Sequence, residues 1–151
     1  MRSLIALGSN LDGPDKCVEL AIALLAESSE LVARSSLYIT KPVGGPVQPD
    51  YVNAVCIVET ELPPRELLHL LQGIEKSMGR IRDVSWGPRI IDCDLIAYGD
   101  LMSHDDELTL PHPRAYERRF VLEPWLEIDP KAVLVGGARI SEILAELPPA
   151  E

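Results

Sequence analysis

The chain has 151 residues, with 24 acidic side chains against 14 basic ones, a formal net charge of −10 and a pI near 4.7. That charge opposes contact with a phosphate backbone, and a lone phenylalanine leaves few platforms for stacked bases, so general nucleic-acid binding is excluded. Apolar residues make up 46% but fall in short periodic runs, too short to span a bilayer and without a signal peptide after Met1; the expected setting is cytoplasmic.

One domain over residues 1–151 is what this length accommodates, with a single substantial core. Residues 3–7 read as a short apolar strand ending in a turn at Gly8-Ser9-Asn10, after which Pro14 opens a helix. That helix is expected to bury Cys17, Leu20, Ala21, Leu24 and Leu25. Residues 30–40 alternate as one strand, with Leu31, Ala33, Leu37 and Ile39 on one parity, and residues 41–50 form a loop rich in proline and glycine. Residues 51–61 are β-branched and pair back across that loop. Pro63 and Pro64 start a second helix, with Leu67, Leu68, Leu71, Ile74 and Met78 inward and Gly79 as its stop. A strand follows near residues 90–98, then a turn at Gly99-Asp100, a polar loop, a short helix over 115–122 ahead of Pro124, and a last helix after Ser141. The order matches the split β-α-β pattern: an α+β, ferredoxin-like α/β sandwich, its sheet mainly antiparallel with helices packed on it. Cys17, Cys56 and Cys93 sit among apolar neighbours at no metal-ligand spacing, as reduced core thiols do.

Chemistry concentrates in Arg89-Ile90-Ile91-Asp92-Cys93-Asp94-Leu95-Ile96-Ala97, where two carboxylates interrupt an apolar strand. Alternation puts Asp92 and Asp94 on one face and Ile91, Cys93, Leu95 and Ala97 on the other, the two acids roughly 7 Å apart. Hard oxygen donors at that spacing suit magnesium. The plain alternative is a solvated edge strand. Against it, Arg80, Arg82 and Arg89 lie just upstream and Arg114, Arg118 and Arg119 downstream, so six of the ten arginines flank the pair. Guanidinium forks beside metal-holding acids are what a polyphosphate requires. His112, between Pro111 and Pro113, cannot lie on a helix face. Tyr51 and Asn53 share strand parity, and an aromatic plane beside an amide suits a flat, hydrogen-bonding heterocycle.

Four blocks in order, Ile5-Ala6-Leu7-Gly8-Ser9-Asn10-Leu11, Gln48-Pro49-Asp50-Tyr51-Val52-Asn53-Ala54, Trp86-Gly87-Pro88-Arg89-Ile90-Ile91-Asp92-Cys93-Asp94 and Leu108-Thr109-Leu110-Pro111-His112-Pro113-Arg114, give the chain its resemblance. With Arg118-Arg119-Phe120-Val121-Leu122-Glu123-Pro124, the sequence resembles the 6-hydroxymethyl-7,8-dihydropterin pyrophosphokinases of folate biosynthesis. The resemblance implies ATP as co-substrate and two Mg2+ ions held by Asp92 and Asp94, with Asp94 also a possible proton acceptor. It implies Arg80, Arg89 and His112 in the chemical step, and nucleotide contacts from Gln72, Glu75, Arg82, Trp86, Arg89, Leu95, Thr109, His112 and Arg118. For the pterin it implies Tyr51 and Phe120 as stacking partners, Asn53 at the edge, the backbone of Thr40 and Val43 closing the pocket, and Asp92 as a further contact. The loops over 41–50 and 82–87 would be covers. Asp83 and Ser85 replace basic residues usual in the second of these, which weakens the expected phosphate contacts there. The partners implied are small molecules only, with no nucleic acid and no membrane, and the chain is expected to be a monomer. Two other classes stay open on the residues alone: a metal-dependent nucleotide-sugar transferase, and a ferredoxin-like module that binds a nucleotide without turning it over.

Overall fold

The computed structural model describes residues 1–10, 13–41, 49–81, 91–134 and 136–148, with backbone only at 80 and 81. Strands β1 (Arg2–Ser9), β2 (Glu30–Arg34), β3 (Tyr38–Thr40), β4 (Tyr51–Glu59) and β5 (Asp92–Tyr98) form one sheet in the order β2-β4-β1-β5, with β3 also paired to β4. Every pairing is antiparallel, as expected for the split β-α-β pattern. Helices α1 (Pro14–Ser28) and α2 (Pro64–Ile81) cover one face. The other face is covered by α3 (Arg119–Ile128) and α4 (Ile140–Glu146), while β6 (Ser103–His104) and β7 (Thr109–Leu110) make a small separate hairpin.

The sheet therefore divides two apolar layers. Ile5, Leu7, Ala54, Cys56, Val58, Cys93 and Leu95 face α1 and α2, whereas Leu4, Ala6, Val55 and Ile96 face α3 and α4. Strand alternation produces this directly, because β1 and β4 are buried on both sides. The three cysteines are buried thiols, and burial raises the Cys56 thiol to about 12, so it stays protonated.

Several expected boundaries shift. Gly8 and Ser9 are not a turn: they continue β1 and pair with β4, Gly8 pairing with β5 as well. The buried stripe of α1 is Cys17, Val18, Ala21, Ile22 and Leu25, leaving Leu20 41% exposed; the helix is rotated so that its β-branched residues meet the sheet. The strand over 30–40 is two strands. Ser35 breaks it: its Oγ donates to Ser36 O and itself accepts from Val55 N–H, and Ile39 is left 76% exposed. Gly79 does not stop α2, which runs to Ile81, and Pro124 lies inside α3, which follows a short 3₁₀ turn at Ala115–Glu117. In β5, a bulge leaves Ile96 unpaired between Leu95, opposite Ile5, and Ala97, opposite Leu4. Ala97 consequently packs with the α3 layer and not beside Cys93 and Leu95, as strict alternation predicts.

Candidate active site

Four strands bring the central polar residues into one cross-strand row. Tyr38 of β3 lies opposite Asn53 of β4, Asn53 opposite Gly8 of β1, and Gly8 opposite Asp92 of β5. The adjacent row on the same face is Val55, Ala6 and Asp94. Directly opposed residues share a face, so Asn53, Asp92 and Asp94 all stand on the α3 side, at the end of the sheet where β1 finishes and β4 and β5 begin. Between them the middle strand offers only a hydrogen and a methyl group, which makes its surface a shallow floor flanked by taller side chains.

The amide wall is well fixed. Asn53 is 6% exposed, and its Nδ2 donates to Thr40 Oγ1 at 2.5 Å across the β3–β4 pair. Tyr51, half-buried, shares Asn53's parity and lies opposite Thr40. Asn10, just past β1, donates through Nδ2 to Pro49 O at 3.2 Å and ties the strand end to the approach to β4.

On the acidic side, Asp94 is 41% exposed and Arg118 Nη1 approaches its Oδ2 at 3.8 Å. The same guanidinium lies 5.5 Å from the centre of the Phe120 ring, a cation–π contact that orders both side chains at the start of α3. Helix α3 packs on β3 and β4, so Phe120 and Arg118 approach the face that carries Asn53 and Asp94.

His112 enters by its backbone: its N–H donates to Ile96 O at 2.8 Å, using the carbonyl of the bulged residue. The ring is half-buried, and burial holds its pKa below the ordinary 6.5; nearby Asp94 opposes this, and Arg118 and Arg114 reinforce it. Nδ1 accepts from Arg114 N–H at 3.3 Å, which assigns the neutral ring's proton to Nε2 and makes that nitrogen a donor.

Glu75 of α2 reaches the outer edge of β5, where its Oε2 accepts from Cys93 N–H at 2.9 Å and closes an otherwise open ladder position between the two aspartates. Gln72, one turn earlier, is exposed on α2. Leu95 is 4% exposed with its side chain in the α1–α2 layer, away from the aspartates, so only its backbone is available to a ligand on their face. Thr109, half-buried on β7, donates through Oγ1 to Asp105 O at 3.1 Å. Val43, Arg82, Trp86 and Arg89, the side chain of Arg80, and the expected covers apart from residues 41, 49 and 50 lie outside the described residues.

Two groups escaped the sequence reading. Glu127, near the end of α3, accepts from Ser36 N–H and Oγ–H and from Tyr38 Oη–H, clasping β3 to the helix that carries Phe120. Gly8 holds the centre of the polar row. No local pattern marks Glu127, whereas Gly8 stood in a motif whose glycine has an obvious but different explanation, a turn.

Paired acids, a guanidinium and a neutral imidazole at the end of an antiparallel, ferredoxin-like sheet define an α+β domain suited to an anionic, metal-associated ligand. The chain belongs to the 7,8-dihydro-6-hydroxymethylpterin-pyrophosphokinase (HPPK) family, whose pattern it matches over residues 4–130. It is 42% identical over 144 residues to the 2-amino-4-hydroxy-6-hydroxymethyldihydropteridine pyrophosphokinase of Haemophilus influenzae, covering 94% of this chain and 90% of that one. The Bacillus subtilis protein of the same name is 42% identical over 126 residues, or 82% and 75% of the two chains. Among solved structures, wild-type HPPK-DHPS of Plasmodium falciparum with pteroate superposes with a TM-score of 0.75 over 96% of this chain at 14% identity. The chain spans 42% of that longer protein, and at this identity the likeness concerns the fold.

Proposed function

We propose that the chain transfers the pyrophosphoryl group of ATP to the hydroxymethyl oxygen of 6-hydroxymethyl-7,8-dihydropterin, giving AMP and the pterin diphosphate. The observation that carries this reading is the pair of cross-strand rows. They set a buried amide and two carboxylates on one face, separated by the small residues Gly8 and Ala6. A flat heterocycle on that floor would have its edge at Asn53 and its hydroxymethyl arm toward Asp92 and Asp94.

The donor set fits magnesium. Asp92 and Asp94 are hard oxygen donors on one face, and among the described residues no cluster of three or more His, Cys, Asp or Glu side chains forms a closed metal cage. Magnesium commonly keeps water and substrate phosphates in its remaining positions, which suits two ions held by one carboxylate pair. Bound there, the ions would neutralise triphosphate charge on both sides of the β-phosphorus.

The remaining steps fall to the chain's own residues. Tyr51 and Phe120 would stack the pterin, with Thr40 and Val43 completing its pocket. Arg118, already ordered by Phe120 and Asp94, would meet the triphosphate, together with Arg80, Arg82 and Arg89. Gln72, Glu75, Trp86, Thr109 and the backbone of Leu95 would hold the rest of the nucleotide. The neutral His112 would donate from Nε2 to oxygen near the departing AMP, and Asp94 could accept the hydroxyl proton. Phosphorus NMR or nucleotide chromatography of the protein with ATP, Mg2+ and the reduced pterin tests the reading. AMP and pterin diphosphate should form in equal amounts; stoichiometric ADP would overturn it.

A further inference from the structure

Gly8 has a backbone that any residue can adopt. It lies inside β1, paired on both sides, and is not among the described glycines with positive φ, which are Gly13, Gly99, Gly136 and Gly137. Glycine is disfavoured in a strand interior, where it adds backbone entropy and no packing, so an unstrained strand glycine calls for a steric reason. One is present. A Cβ at position 8 would lie 2.6 Å from Asn53 Oδ1, while the next nearest atoms, Asn53 Cγ and Val52 O, are at ordinary distances of 3.7 and 3.8 Å.

The amide has little freedom to yield. Asn53 is 6% exposed and committed through Nδ2 to Thr40 Oγ1 at 2.5 Å, so moving Oδ1 off position 8 means turning the amide and giving up that bond. The oxygen is thereby held over the middle strand, on the face shared with Asp92, with the amide plane set by Thr40 on one side and by the absent side chain on the other. Building on the reading of Asn53 as the group at the pterin's edge, we propose that Gly8 is a positioning residue. Its missing side chain leaves Asn53 Oδ1 aimed across β1 as a hydrogen-bond acceptor, and this selects heterocycles with an N–H donor at that edge. The effect is steric and acts through Asn53 alone.

Gly8→Ala, Asn53→Ala and the double variant separate the possibilities, with calorimetric binding of the reduced pterin and of Mg-ATP alongside thermal melting. Gly8→Ala should fold, with the lost Asn53–Thr40 bond and the removed strand glycine largely offsetting in its melting temperature, bind Mg-ATP within about twofold of wild type, and lose about tenfold in pterin affinity, roughly one hydrogen bond. In the Asn53→Ala background the same substitution should change pterin affinity by less than about twofold, because the group it displaces is gone. Equal losses in both backgrounds, no loss in either, or failure of Gly8→Ala to fold would each overturn the proposal. If Asn53→Ala bound pterin like wild type, the assignment of Asn53 would fall and the proposal with it. If Asn53→Ala weakened binding while Gly8→Ala did not, the proposal alone would fail.

Discussion

Asp94 Oδ2 lies 3.8 Å from Arg118 Nη1, beyond a hydrogen bond, and the carboxylate is 41% exposed. An acid so loosely held can take up a cation without first breaking a strong ion pair. Asp92→Ala and Asp94→Ala should therefore fold normally yet lose about a thousandfold or more in turnover at saturating magnesium; near wild-type rates in either would remove the metal assignment. His112 offers a finer test, because its Nδ1 already accepts from Arg114 N–H and only Nε2 is left to donate. Glutamine places an N–H near the Nε2 position and asparagine near Nδ1. His112→Gln should thus retain more activity than His112→Asn, the latter falling by about a hundredfold, and the reverse order in steady-state kinetics would refute the tautomer. At this scale the sequence was informative: the parity of Asp92 with Asp94 and of Tyr51 with Asn53 needs only period two. It could not show that Asn53 is locked to Thr40, since that depends on which strand lies alongside.

Helix α3 carries Phe120 at its start, packed on the sheet, and Glu127 near its end, where the carboxylate holds Ser36 and Tyr38. Those donors keep Glu127 ionised below its ordinary pKa of 4.5. A depressed acid contributes stability that is present above 4.5 and is lost as pH falls through the folded value, because the unfolded chain then takes up the proton first. The stability gap between wild type and Glu127→Gln should accordingly be open at neutral pH and close in acid. A gap that stayed constant in denaturant melts across that range would mean the clasp is not energetically linked to the charge. Element starts were easier to foresee than their ends. Pro14 and Pro64 mark helix beginnings because a missing N–H is harmless there. Gly79 failed as a stop because one helical glycine is disfavoured by only about 1 kcal/mol, against a helix held by Leu67, Leu71, Ile74 and Met78. Pro124 failed as a terminator because α3 is anchored on both sides of it by buried Leu122 and Trp125. The break at Ser35 rests on that residue's bonds to Val55 and Ser36, which no alternation of Leu31, Ala33, Leu37 and Ile39 could announce.

Across the whole molecule, the sheet separates two cores that share no buried residue: Leu71 belongs to one and Leu122 to the other, both fully buried. Replacing either by alanine should lower stability by about 2 to 5 kcal/mol, and the double variant should show close to the sum, because opposite layers have no common cavity. Strong non-additivity in urea melts would mean the layers communicate through the sheet. The topology itself was legible, since the element order βαββαβ leaves few antiparallel arrangements with two helices on one face. What stayed hidden is contact between distant segments: Glu127 meets Tyr38 at a separation of 89 residues, and the close approach of Asn53 Oδ1 to position 8 arises only once β1 and β4 are in register.

Ile96, the unpaired residue of β5, lets one strand obey two different frames. Ahead of it, the alternation turns Asp92 and Asp94 to the open floor. Beyond it, the alternation serves the scaffold, sending Tyr98 back toward the α1–α2 layer, where its hydroxyl reaches Leu62 O at 2.7 Å. The slip also frees the Ile96 carbonyl for His112. Anyone grafting this strand into a relative would have to move residues 92–98 as a block. A splice that kept both aspartates but lost the extra residue would preserve the motif while misplacing its histidine, and comparing motifs alone would give no warning.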